Sequence, residues 1–268
     1  MDLEIRDLRV MVTAGASGIG LAIARAFARE GAKVHVCDVD AQALRALAKS
    51  DPALTTSPCD VSNREQVKTF FDEGLAALGG GLDCLVNNAA IPKRTRVTDL
   101  TPVDVAHVMD VDFHSPVRMS LAVLPRMVER GSGTIVFVSS MGGRIPIGNE
   151  AAYCAAKFAM CGWAEAMYLD LAGTGVTTKL VLPGPIATEI WDQPDNEDAL
   201  IDVEKVPAAD CAAGIANALE HDGFEYYVPP EFPGGIDAKQ LAVGKHAHCD
   251  DYLRGMADFT KALRDEAG

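Results

Sequence analysis

Two features that would indicate a membrane or nucleic-acid partner are missing from this sequence. No stretch reaches about 18 uninterrupted apolar residues, the length that a transmembrane helix needs. No cluster of about five lysine and arginine residues interrupts a formal net charge of −14 at pH 7, and that charge repels phosphate backbones and anionic headgroups. We therefore expect neither a nucleic acid nor a membrane among its partners.

Paired cysteine motifs and a basic leader are also absent. The seven cysteines are odd in number, none is spaced as CxxC, and several lie inside apolar runs. The first residues, MDLEIRDLRV, are acidic where a secretory signal is basic. This pattern predicts reduced thiols and a cytoplasmic location.

Short apolar runs alternate with Ala- and Leu-rich helical patterns along most of the chain. The strand patterns cover residues 8–13, 33–38, 54–58, 83–88, 133–140 and 176–183, and the helical patterns cover 18–30, 41–49, 63–78, 103–129 and 151–172. Parallel strands need crossover connections, and helices must cover both faces of their sheet. The rhythm predicts an α/β, doubly wound Rossmann fold with a parallel sheet of about seven strands, formed by residues 1–268 as one domain.

The last third of the sequence departs from this rhythm. A polar, acidic insertion covers about residues 188–206, beyond the end of a predicted strand, where open α/β sheets bind ligands. We interpret it as a substrate loop. A short helix at 207–220 and a strand at 225–228 follow, and the role of the tail, about 231–268, stays open. His246, His248 and Cys249 crowd together in that tail, but adjacent residues rarely converge on one tetrahedral ion, so we predict no metal site.

A glycine-rich turn joins the first strand to the first helix, in the order Thr13-Ala14-Gly15-Ala16-Ser17-Gly18-Ile19-Gly20. Backbone amides at such a helix start suit a pyrophosphate, and glycines let the backbone approach it. The second strand then ends at Asp38, whose carboxylate can accept hydrogen bonds from both ribose hydroxyls of NAD but repels a 2′-phosphate. Together these features predict NAD as the cofactor.

Three further residues form a catalytic pattern. Tyr153 and Lys157 are four residues apart in a helical pattern and so lie on one face, where an ammonium favours the phenolate. Ser140 lies at the carboxyl end of a predicted strand, where its hydroxyl can hold a carbonyl or alkoxide oxygen. We predict that Tyr153 transfers the proton as a secondary alcohol and a ketone are interconverted with NAD(H).

In this order the motifs resemble the short-chain dehydrogenase/reductase family, of the compact single-domain type, over about residues 5–230. The resemblance implies binding of the dinucleotide phosphates by Gly15, Ser17, Gly18, Ile19 and Gly20, and of the adenosine by Asp38, Asp60 and Val61. It implies that Asn87, Asn88 and Ala89 line the cofactor beside Tyr153 and Lys157, and that Pro183, Gly184, Ile186 and Thr188 embrace the nicotinamide.

Three residues depart from the family pattern. Ala14 and Ala90 stand where glycine is usual, so the loop must tolerate a β-carbon at Ala14. Asp112 stands where the family usually has an asparagine that orders a water beside the catalytic lysine. A carboxylate there favours a protonated Lys157 but costs desolvation, and we include Asp112 among the catalytic candidates.

The substrate itself is left open between an aromatic or steroid-like alcohol, a hydroxyacid and a sugar. The candidate substrate contacts are Arg94, Arg144 and Trp191, with Ile145, Ile147 and His114 as further lining residues. An isomerase or dehydratase on the same scaffold, or a non-catalytic NAD(H)-binding sensor, are the alternatives, although a sensor has no need of a complete Ser, Tyr and Lys set. Small residues along 151–167 allow close helix packing and predict a homotetramer or homodimer.

Overall fold

Seven parallel strands form the centre of the protein. The computed structural model describes residues 5–200, 203–232 and 235–267. The sheet contains β1 (Arg9–Thr13), β2 (Lys33–Asp38), β3 (Leu54–Pro58), β4 (Cys84–Asn87), β5 (Gly133–Val138), β6 (Val176–Pro183) and β9 (Glu225–Val228). Their order across the sheet is β3-β2-β1-β4-β5-β6-β9, and every neighbouring pair is parallel. The predicted doubly wound Rossmann fold is confirmed.

Helices lie between the strands in sequence and cover both faces of the sheet. They are α1 (Gly18–Arg29), α2 (Ala41–Ser50), α3 (Arg64–Ala77), α4 (Pro102–Met109), α5 (Ser115–Arg130), α6 (Ala151–Asp170) and α7 (Ala208–Glu220). Side chains alternate along β1, so that Met11 belongs to one apolar cluster while Val10 and Val12 belong to the other. Helices α3, α5 and α6 pack on the first cluster, and α1, α2 and α7 pack on the second.

The predicted helix at 103–129 is interrupted. Between α4 and α5 the backbone forms a π-helical turn over Asp110–His114. Such turns insert an extra residue into a helix and change which way the following side chains point. Here the turn places Asp112 in the interior, with no exposed surface, and hydropathy periodicity gives no signal for it.

The candidate substrate loop begins and ends on one short pair of strands. β7 (Ile186–Ala187) pairs in parallel with β8 (Val206–Pro207), with Ile186 opposite Val206. Between them a short 3₁₀ turn covers Glu189–Asp192, and residues 201–202 lie outside the description. The two ends of the loop are therefore held next to each other by this strand pair.

Two helices end the described chain. After β9, two short antiparallel strands, β10 (Glu231–Phe232) and β11 (Ile236–Asp237), lead into α8 (Ala238–Ala247) and α9 (Cys249–Ala267). His246 lies in α8, and Cys249 begins α9. In the described part of the chain, no helix combines the length and the apolar character needed to cross a membrane.

Two helix boundaries have clear local causes. Asn63 caps α3, because its side-chain oxygen accepts from the amides of Glu65 and Gln66 at 3.0 and 3.2 Å. Gly31 follows α1 with φ +92°, a conformation that favours glycine. These local signals fix where the connections to the sheet begin.

We expect Asn63→Ala to lower the free energy of unfolding by about 1 kcal/mol, because two amides at the start of α3 lose their acceptor. Asn63→Asp keeps an acceptor and adds a charge that the helix dipole favours, so its stability should stay near that of the wild type. Urea unfolding of the three proteins measures this. Equal stability of the alanine and wild-type proteins would show that the cap contributes nothing.

Candidate active site

The catalytic candidates meet at the carboxyl ends of the central strands. Ser140 follows β5 and caps a 3₁₀ turn over Met141–Gly143, while Tyr153 and Lys157 lie in the first two turns of α6. Parallel sheets bind ligands at this edge. The end of β5 and the start of α6 therefore place all three side chains at the carboxyl edge of the sheet, where the sequence predicts Ser140.

Lys157 is a buried cation beneath the tyrosine. Its side chain is 1% exposed, and its ammonium donates to the carbonyl of Val138 at 3.2 Å. Its Nζ lies 3.7 Å from Oδ2 of Asp112 and 5.5 Å from the ring centroid of Tyr153. Burial lowers the pKa of Lys157, and the charge of Asp112 opposes that change.

Asp112 is the anion of this buried pair. Its Oδ1 accepts from the amide of Ile91 at 2.9 Å, whereas its Oδ2 is buried and has no hydrogen-bond partner among the described residues. Burial raises the pKa of Asp112 to about 6, and Lys157 acts in the opposite direction. The carboxylate thus titrates close to neutrality and keeps one acceptor position open toward the ammonium.

Tyr153 and Ser140 both lie close to one glycine. A β-carbon on Gly142 would approach Cε1 of Tyr153 at 3.3 Å and Oγ of Ser140 at 3.4 Å. The Ser140 hydroxyl accepts from the Gly142 amide at 3.0 Å, and this bond fixes its position.

The four-residue spacing predicts that the ammonium of Lys157 favours the phenolate and so lowers the pKa of Tyr153. In the protein alone the direction is opposite: burial, and next the charge of Asp112, raise the pKa of Tyr153 above its usual range, while the side chain of Ser140 lowers it. The buried lysine does not by itself produce a phenolate.

The start of α1 has no side-chain cap, and the carboxylate of Glu189 lies near Gly18, 3.7 Å from a β-carbon built there. Ser17 is its N-cap residue but makes no side-chain capping bond, and no acidic residue occupies the first turn. The first amides of the helix therefore lack side-chain acceptors and add to the positive end of its dipole. Gly18 has φ +52°, where a β-carbon would be strained. This arrangement fits a dinucleotide phosphate.

Other glycines of the turn are required by packing within the protein. A β-carbon on Gly20 would lie 2.0 Å from the carbonyl oxygen of Ala14, and one on Gly15 would lie 2.6 Å from Cβ of Val36. Ala14 itself has φ +51°. The turn thus accommodates the β-carbon that replaces the usual glycine, in a conformation that alanine rarely adopts.

Thr13 and Asn88 brace the turn against β4. The hydroxyl of Thr13 accepts from the amides of Asn88 and Ala89, both at 2.9 Å. The side-chain amide of Asn88 donates to the carbonyls of Thr13 and Ala14 at 3.1 and 3.3 Å. Sequence reasoning missed the role of Thr13, and its only signal was a hydroxyl residue at the strand end.

Oδ1 of Asn87 is buried and has no partner among the described residues.

Two carboxylates mark the adenosine end of the candidate site. Asp38 ends β2, and its two oxygens accept from the amides of Ala16 and Asp40, both at 3.1 Å. Asp60 accepts from the amide and hydroxyl of Ser62 at 2.8 and 2.7 Å, and the neighbouring Val61 is buried. Asp38 therefore also connects the glycine turn to the sheet.

The segment after β6 reaches the glycine turn from the other side. The amide of Gly184 donates to the carbonyl of Val228 at 2.8 Å, and Ile186 is buried. A β-carbon on Gly18 would lie 3.2 Å from Cγ2 of Thr188, so Thr188 lies against the glycine turn. This contact brings the segment after β6 next to the start of α1.

The three predicted substrate contacts do not form one group. Arg94 is 3% exposed, donates to the carbonyls of Trp191 and Glu197 at 2.6 and 3.0 Å, and stacks on the Trp191 ring at 5.5 Å. Arg144 instead pairs with Glu165 and Glu225. Arg94 and Trp191 therefore organise the loop, and a direct contact of any of the three with a substrate stays a prediction.

Comparison with known proteins gives a consistent picture. The family model for short chain dehydrogenases matches residues 9–199. A D-threitol dehydrogenase from Mycolicibacterium smegmatis is 32% identical over 204 residues, which cover 73% of this chain and 78% of that protein. A galactitol 2-dehydrogenase from Agrobacterium fabrum is 33% identical over 259 residues, which cover 96% and 91%. These relatives give no support to an isomerase, a dehydratase or a sensor.

Solved structures share the fold over nearly the whole chain. A short chain dehydrogenase/reductase from Burkholderia phymatum in complex with NAD has a TM-score of 0.79 at 24% identity, over 94% of this chain and 96% of that one. A short chain dehydrogenase from Burkholderia cenocepacia in complex with NADP has a TM-score of 0.78 at 24% identity, over 93% and 97%. At this identity the likeness concerns the fold, and the two complexes hold different cofactors.

Proposed function

The chain belongs to the short-chain dehydrogenase/reductase family, an assignment that makes it an oxidoreductase of CH–OH groups, and we propose that it oxidises one secondary hydroxyl of a neutral polyol to a ketone with NAD. The observation that carries this proposal is the group at the carboxyl edge of the sheet. There Ser140 and Tyr153 both lie close to Gly142, and the buried ammonium of Lys157 lies 5.5 Å from the centroid of the tyrosine ring.

Each side chain has a distinct task in the proposed reaction. The phenolate of Tyr153 takes the hydroxyl proton of the alcohol, and a bound nicotinamide would supply the acceptor for the hydride that leaves the carbon. The Ser140 hydroxyl holds the substrate oxygen, and Lys157 stabilises the phenolate electrostatically. In the reverse direction Tyr153 returns the proton to the alkoxide oxygen.

Burial opposes the phenolate that this chemistry needs. Because burial and Asp112 raise the pKa of Tyr153, positive charge must act against both of them. Lys157 is one source, and its ammonium depends on Asp112, since burial alone lowers its pKa. Asp112 therefore has two opposing effects: it repels the phenolate directly and retains the cation that stabilises it.

A neutral polyol fits the charges better than a hydroxyacid does. The two arginines among the candidate substrate contacts are occupied, Arg94 by backbone carbonyls and Arg144 by two carboxylates. Glu150 adds a buried carboxyl close to Arg94, and its charge also bears on Tyr153. The names of the relatives, D-threitol dehydrogenase and galactitol 2-dehydrogenase, support a polyol independently.

NAD is the proposed cofactor because of Asp38. Its carboxylate lies at the end of β2 beside the glycine turn, and Ala16 and Val39 next to it carry no positive charge. A 2′-phosphate would meet a like charge there without a compensating arginine. The cytoplasmic location stays a prediction, supported by free cysteines of which six are buried. A homodimer or homotetramer also stays a prediction, supported by the small residues of α6.

We expect Tyr153→Phe to abolish polyol oxidation while NADH binding stays measurable, because the phenol transfers a proton and contributes little to dinucleotide affinity. General acid–base catalysis is commonly worth about 10²–10⁴-fold. Turnover is followed by NADH absorbance with D-threitol and galactitol, and binding by NADH fluorescence. Retention of more than roughly a tenth of the wild-type kcat would refute the role.

We expect kcat/KM with NAD to exceed that with NADP, and Asp38→Ala to narrow this gap by removing the repulsion of a 2′-phosphate. Asp40→Ala is the matched control, because Asp40 caps α2 two residues away and has no predicted ribose contact. Both variants are assayed with both cofactors. A wild-type preference for NADP would contradict the assignment.

We expect the pH profile of the wild-type rate to contain a transition near pH 6, because Asp112 then takes up a proton and its charge no longer acts on Lys157 and Tyr153. Asp112→Asn keeps an acceptor for the Ile91 amide and should retain substantial activity with a shifted pH profile. Asp112→Ala should lose kcat by more than about tenfold, or near 1.4 kcal/mol. An alanine variant with unchanged kcat and pH profile would make Asp112 purely structural.

A further inference from the structure

One asparagine connects three separate segments beside the active site. The side-chain oxygen of Asn149 accepts from Nη2 of Arg264 at 2.6 Å, and its amide donates to Oε2 of Glu197 at 2.9 Å. Its backbone carbonyl accepts from the amide of Thr95 at 2.8 Å. Asn149 has φ +63°, a conformation that non-glycine residues rarely adopt. These contacts hold it in that conformation.

Glu197 extends the connection into the candidate substrate loop. Its amide donates to the carbonyl of Arg94 at 2.8 Å, and its own carbonyl accepts from Nε of Arg94 at 3.0 Å. Oε1 of Glu197 accepts from the hydroxyl of Thr95 at 3.3 Å. The loop is therefore attached through both backbone and side chain to residues 94–95 and 149.

The last helix packs onto the same place. On α9 the residues Tyr252, Met256, Thr260, Leu263 and Arg264 are half-buried and recur at helical spacing, while the residues between them are exposed. A β-carbon on Gly148 would lie 2.7 Å from Cδ1 of Leu200 and 3.4 Å from Oγ1 of Thr260. One glycine thus separates the loop from α9.

The segment from Ile147 to Asn149, which contacts both the loop and α9, lies close to Tyr153. Ile147 precedes Gly148, and a β-carbon on Gly142 would approach Cδ1 of Ile147 at 3.4 Å and Cε1 of Tyr153 at 3.3 Å. The chain from 147 to 149 therefore joins the surroundings of Tyr153 to α9. A substrate that extends away from Tyr153 past Ile147 meets a surface formed by the loop and by α9.

We propose that α9 is the outer wall of the substrate site and that Arg264 is a positioning residue that determines how long a polyol the site binds well. The proposal rests on the proposed function. Arg264 acts through Asn149 on Glu197 and the loop, and it contacts no reacting atom. Its removal loosens the loop where the far end of a long substrate lies and leaves the region near Tyr153 in place.

The test replaces the arginine in the full-length protein. Arg264→Met should raise KM for galactitol by about tenfold or more, the change expected for loss of one charge-assisted hydrogen bond, and should change KM for D-threitol less than about twofold because that polyol is shorter. The kcat values and the affinity for NADH should change less than about twofold. Arg254→Met is the control, since Arg254 lies on the same helix with its side chain 73% exposed.

A second measurement needs no substrate. Amide hydrogen exchange over residues 189–200 should accelerate in Arg264→Met and in Asn149→Gly, and stay unchanged in Arg254→Met. Asn149→Gly removes the connecting amide at a backbone conformation that suits glycine, so folding should be preserved. If the wild type oxidises neither polyol, the proposed function fails while the exchange data still decide whether α9 holds the loop. Unchanged exchange in both variants, or an unchanged galactitol KM in Arg264→Met, would overturn the proposal.

Discussion

The buried pair of Lys157 and Asp112 is the constraint on which the active-site side of the fold depends. Two charged side chains in the interior are stable only if each has partners, and here those partners come from different elements. Lys157 is held by the end of β5, and Asp112 by the segment that follows β4. The pair thereby sets the position of α6 relative to the π-helical turn. Loss of one partner would leave the other charge uncompensated in the interior.

The alternation of strands and helices is the part of the structure that could be predicted from the sequence. Alternating apolar strands and amphipathic helices gave the sheet, its covered faces and most boundaries, and the Tyr153 and Lys157 spacing gave one helical face. The π-helical turn was not predictable, because hydropathy periodicity over 103–129 is compatible with an uninterrupted helix. The contacts of Arg94 were also not predictable. In the sequence a loop arginine could equally bind a substrate, and only the fold shows that its guanidinium donates to backbone carbonyls.

The glycine turn shows that a motif can record two requirements at once. Gly18 has a conformation that favours glycine, and it begins the helix whose amides fit a phosphate. Gly15 and Gly20 are needed because Val36 and the Ala14 carbonyl leave no room for a β-carbon. Two of the three glycines in the turn, Gly15 and Gly20, are therefore required by packing within the protein. The hydroxyl of Thr13 and the amide of Asn88 then hold the turn in register with β4.

The pairing of β7 with β8 has a consequence for how this enzyme could diversify. Because Ile186 and Val206 lie opposite each other, the stretch between them is an excursion whose two ends are joined at its base. Loop length alone changes closure entropy only slowly, so the excursion can change in length while the β7–β8 pair stays in place. Thr188, Glu197 and Leu200 are the exceptions, because they contact the glycine turn or the segments at 94–95 and 148–149. The seven-stranded sheet therefore does not constrain the length of this stretch, and the two can change separately as the sequence diverges.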